Sequence, residues 1–87
     1  MSMYVADLEQ LTALAATFDR QSQVVAELTT VVRSDVLGAN WQSPAAARFR
    51  EAWTGEFEPA LRRLQAAMQE AATEVNRRRE AIQAAGA

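Results

Sequence analysis

The sequence predicts an all-α fold: an antiparallel two-helix hairpin that pairs with a second hairpin into a four-helix bundle. Three observations carry this. Apolar residues recur at helical spacing through both halves of the 87-residue chain. Turn-forming residues are scarce, with three Gly and two Pro, whereas an all-β fold needs many turns. One helix stop, Gly38, and one helix start, Ser43 with Pro44, fall close together in mid-chain.

Helix one is predicted over about 4–37. Tyr4, Leu8, Leu11, Ala15, Phe18, Val25, Val32 and Val36 step by fours and threes, with Ser22 and Thr29 in the two remaining slots. Leu11, Phe18, Val25 and Val32 are the expected hairpin core on this side. A second apolar line, Leu14, Val24, Leu28 and Val31, lies about 100° round the helix. The apolar face is wider than one neighbouring helix requires, so this second line is the candidate partner-binding surface.

The turn is predicted at 38–43. Gly38 can end helix one because glycine takes the left-handed conformation without a Cβ clash. Ser43 can cap the next helix, and Pro44 at its first position gives up a donor that had no partner. So short a link folds the helices antiparallel. Trp41 sits inside it, outside both helical seams.

Helix two is predicted over about 44–84, so that residues 1–87 form a single helical-hairpin domain. Its apolar face comprises Phe49, Trp53, Phe57, Leu61, Leu64, Met68, Ala71, Val75 and Ile82. Of these, Phe49, Trp53, Phe57, Leu64 and Met68 are the expected hairpin core. Three successive steps of four, from Phe49 to Leu61, carry the stripe round the helix. Pro59 lies in that drift and cannot donate to the carbonyl of Gly55, which predicts a kink. Two such helices make a rod roughly 50–60 Å long. A rod exposes much surface per residue, so a single hairpin struggles to offset the entropy of ordering its chain.

The composition narrows the function. The chain has no Cys, His or Lys, and all nine basic residues are Arg. The common nucleophiles, bases and metal ligands are therefore missing, and neither an enzyme, a metal site nor a cofactor is expected. Glu56 and Glu58 flank Phe57 and point apart on a helix, as solvated acids do. A net charge of −2 gives no long-range attraction to nucleic acid. Arg77, Arg78 and Arg79 read as favourable charge near a helix C-terminus, since no aromatic residues are interleaved for base stacking. No apolar run approaches the roughly 20 residues of a membrane span, so no integral membrane segment is expected. The start "MSMYVADLEQL" lacks the basic, then apolar, pattern of a cleaved signal peptide.

The stretch "WQSPAAARFREAW", set between two long amphipathic helices, resembles the WXG family of small type VII secretion substrates, the early-secreted-antigen type. The family signature is Trp-X-Gly in the interhelical turn. Trp41 matches the Trp, Gln42 the X, and Ser43 stands where the family usually has Gly. Ala45 to Ala47, Phe49 and Trp53 resemble the run that follows. The resemblance implies export through a secretion ATPase-driven channel without a cleaved signal peptide, from a cytoplasmic pool to the outside. It also implies a dimer with a second small helical hairpin. Trp41, Gln42 and Ser43 would form the turn half of a bipartite export signal, whose other half is a C-terminal Tyr-x-x-x-Asp/Glu. This chain departs from that pattern: its one Tyr is Tyr4, and "EVNRRREAIQAAGA" carries no equivalent. A partner supplying the tyrosine half is therefore expected, which favours a heterodimer over a homodimer. The competing readings are a non-secreted helical adaptor or structural hairpin, a membrane-active secreted hairpin, and the detached targeting domain of a toxin.

Overall fold

The computed structural model describes residues 3–86, with side chains from residue 7 onward. It consists of α1 (Met3–Gly38), α2 (Pro44–Ala52), a π-helical turn (Trp53–Phe57) and α3 (Glu58–Gly86). No strand occurs among the described residues. α2, the π-turn and α3 run on without interruption as the second arm of a hairpin, and α3 packs along α1. The hairpin is thus the predicted one, with helix ends within two residues of the expected bounds. Tyr4 lies on α1, but its side chain falls outside the described residues.

The seam of α1 follows the heptad spacing. Ala15, Ser22 and Thr29, seven residues apart, are buried, and Leu11, Phe18, Val25 and Val32 beside them are half-buried. The second arm contributes Ala46, Trp53 and Ala72 as buried residues, with Leu61, Met68 and Val75 half-buried. Small residues at the most buried positions let two helices approach closely. Large side chains at the flanks are covered on one side only, because the hairpin is two layers thick. The hydroxyl of Thr29 donates to the carbonyl of Val25 at 2.7 Å, whereas the buried Ser22 hydroxyl has no hydrogen-bond partner among the described residues. Arg33 pairs with Glu58 across the arms, and Glu58 also lies 4.0 Å from Arg62 one turn on.

The expected core needs correction at three positions. Phe49, Phe57 and Leu64 are exposed at 38%, 40% and 44%. For Phe57 and Leu64 the cause is the π-turn. Steps of four advance about 40° beyond a full turn, so a regular helix would carry Phe57 past Trp53, away from Phe49. Instead the amide of Glu58 donates to the carbonyl of Trp53, a five-residue turn. The extra residue cancels the drift. Leu61 and Met68 return to the seam, and Phe57 swings back to the flank that Phe49 occupies, with ring centroids 6.2 Å apart. Pro59 explains the location: it offers no amide to Gly55, and a widened turn relieves the crowding its ring causes. The irregularity predicted at Pro59 therefore takes the form of a π-turn.

The hairpin measures 62 × 18 × 15 Å, with a radius of gyration of 19.1 Å. A compact domain of this length would have about 12 Å. Its accessible surface, 6211 Å², also exceeds the roughly 5,100 Å² of a typical globular protein of this mass.

Candidate functional site

The turn is built from both of its flanking helices. α1 runs through Gly38, and the amide of Ala39 still donates to the carbonyl of Asp35 at 3.0 Å. Gly38 does not take the left-handed conformation expected of it, since no glycine has positive φ among the described residues. A Cβ on Gly38 would meet nothing within 4 Å. One carbonyl of this helix end and two of the link are satisfied from the other arm. Arg50, on α2, donates through Nε to the carbonyl of Val36 at 3.2 Å. Its Nη2 donates to the carbonyls of Ala39 at 3.3 Å and Trp41 at 2.5 Å. One guanidinium thereby caps α1 and fixes the link.

Ser43 caps α2 as its residue type suggested. Its backbone is extended, and its hydroxyl accepts from the amide of Ala46 at 3.0 Å. Pro44 occupies the first turn. The hydroxyl at position 43 is thus engaged in the cap, and Gln42 beside it is exposed.

Trp41 is 43% exposed at the hairpin tip. Its ring lies 6.3 Å from that of Phe49, tilted by 49°, and the Arg50 guanidinium carbon is 5.9 Å from its centroid. Both distances suit favourable aromatic and cation–π contacts. Phe49 in turn stacks at 6.5 Å on Trp53, which is buried and whose indole N–H has no partner among the described residues. Trp41, Phe49 and Phe57 therefore form an exposed aromatic strip running from the tip along the second arm.

The four candidate partner residues on α1 are exposed: Leu14 at 42%, Val24 at 50%, Leu28 at 46% and Val31 at 57%. They share a face with the strip. Asp7 and Gln10 of α1 line one shallow groove with Arg78 and Ile82 of α3. Leu14, Val24, Leu28 and Val31 follow Asp7 or Gln10 at whole heptads, and Leu64 precedes Ile82 by five whole turns. One face of the hairpin thus gathers Leu14, Val24, Leu28, Val31, Phe57 and Leu64.

The arginine run is not at a helix end. α3 continues to Gly86, with no basic residue in its last turn. Arg77 and Arg78 are exposed, while Arg79 is half-buried and reaches across to the Thr12 hydroxyl at 3.4 Å. Sequence reasoning also missed Arg50. Its signal was present, since Arg50 precedes the seam residue Trp53 by three and so falls on the seam side of α2.

No described helix is long and apolar enough to cross a membrane. Comparison with family models, with curated proteins and with solved structures returned no match to this chain.

Proposed function

We propose that this chain is a small secreted substrate or partner subunit of a type VII secretion system, exported as a folded helical dimer. Its turn, Trp41-Gln42-Ser43, contributes one half of a bipartite export signal. The observation that carries the reading is a Trp held half-exposed at the tip of an antiparallel hairpin, where it contributes to neither helical seam. The placement agrees with the resemblance of "WQSPAAARFREAW" to the WXG signature. The cap formed by Ser43 gives a physical reason why Ser can stand in the signature's Gly position, since Ser caps at least as well as Gly. The partner is a second helical hairpin ending in Tyr-x-x-x-Asp/Glu, which supplies the half of the signal this chain lacks and covers the exposed apolar face. A heterodimer fits that division better than a homodimer.

A secretion assay run beside a thermal melt of the purified dimer tests this. Trp41→Ala should leave helicity and pairing nearly intact and sharply reduce export. Ser43→Gly should keep export at a capping cost of a few tenths of a kcal/mol. Unchanged export in Trp41→Ala, with stability unchanged, would refute the recognition role. A loss of several kcal/mol would show that Trp41 acts in folding instead.

A further inference from the structure

We infer that Arg50 is the positioning residue of the turn: it fixes the conformation in which Trp41 is presented. The inference rests on the reading of Trp41 given above and extends it from a single side chain to the device that holds it.

The five residues between α1 and α2 have little to order them. Ser43 belongs to the α2 cap, and the Ala39 amide extends α1, which leaves Asn40, Trp41 and Gln42 without a backbone hydrogen bond to one another. All three are exposed. A free link of this kind would let the indole sample many directions, and a recognition element that must be ordered on binding loses affinity to that cost. Arg50 removes the freedom. It reaches the carbonyls of Val36, Ala39 and Trp41, which span the end of α1 and the middle of the link. The same guanidinium lies against the Trp41 ring. Backbone and side chain of residue 41 are therefore held by one group. Its two donor nitrogens form a planar fork that a lysine ammonium cannot reproduce. Arg50 is itself half-buried, so its own placement is set by the seam.

The consequence is that export depends on Arg50 although Arg50 need not touch the receptor. The test uses the full chain in three variants: Arg50→Gln, Arg50→Lys and Trp41→Ala. Backbone order parameters of residues 40–42 and the Trp41 indole N–H signal are measured by NMR, beside the thermal melt and the export assay. In the wild type the turn should be rigid, with order parameters near 0.85, and in both Arg50 variants they should fall below about 0.6. Export should drop roughly tenfold or more in both, toward the level of Trp41→Ala, on the scale of losing hydrogen bonds to a charged group. An ordered turn in Arg50→Gln would overturn the inference. So would a disordered turn with normal export while Trp41→Ala blocks export. Full retention of order by Arg50→Lys would show that charge alone suffices and would overturn the role of the fork. Normal export of Trp41→Ala would instead defeat the reading of Trp41, and the turn's order in the Arg50 variants would still decide whether Arg50 positions it. Should Arg50→Gln fail to fold, Arg50→Lys carries the same comparison.

Discussion

Ser22 and Thr29 are the two polar side chains buried along α1 among the described residues, and they are not equivalent. The Thr29 hydroxyl donates to the carbonyl of Val25, while that of Ser22 has no partner among the described residues. An unsatisfied buried hydroxyl costs about 1–3 kcal/mol, and alanine has nearly the same volume. Ser22→Ala should therefore stabilise the protein by about 1 kcal/mol, seen as a raised melting temperature. A cost of that size would place a partner on the Ser22 hydroxyl. Gly38 leads to a similar expectation. It is helical, without positive φ, and open around its missing Cβ, so Gly38→Ala should add up to about 1 kcal/mol. The sequence marked Gly38 correctly as the end of a helix and wrongly as a left-handed residue. Instead of turning left-handed there, α1 continues through Gly38 to the Ala39–Asp35 bond, and a side chain from the other arm, Arg50, takes the carbonyls of Val36 and Ala39. Such long-range capping cannot be read from the residues around Gly38; its one signal is the place of Arg50 on the seam side of α2. Ser43 with Pro44, whose partners are all local, could be read directly.

The second arm shows where periodicity stops being sufficient. Its four-residue steps from Phe49 to Leu61 signal drift, and Pro59 marks where the helix gives way. Neither says that the helix absorbs the drift by one extra residue and continues. That outcome is set by the seam, because Leu61, Met68 and Ala72 must face α1 at the same time as Trp53. Phe57 and Leu64 consequently fall on the exposed flank although their spacing reads as core. Deleting Gly55 together with Pro59→Ala should turn the π-turn into a regular turn and keep the seam. Measured on the paired protein, its melt should stay within about 1 kcal/mol of wild type. Inserting one Ala after Gly55 should rotate α3 by about 100° and abolish the cooperative melt. Circular dichroism distinguishes the two, and equal effects from deletion and insertion would contradict the register account.

At the scale of the whole molecule, the proposed function makes the hairpin half of a bundle. Its seam is narrow and lined by small residues, while one face leaves Leu14, Val24, Leu28, Val31, Phe57 and Leu64 in contact with solvent. The α1 half of that face was legible as a second apolar line. The half from the second arm was hidden by the π-turn. Leu28 is exposed in the single hairpin, so Leu28→Asp should spare residual helicity and abolish pairing, measured by size-exclusion chromatography. The most direct test of this account is sedimentation velocity on the purified wild-type chain at micromolar concentration, with its thermal melt recorded on the same sample. We predict a self-associated species, or a monomer whose melt is broad and uncooperative because its face is uncovered. A monodisperse monomer with a sharp, cooperative melt would contradict the claim that the hairpin requires a partner.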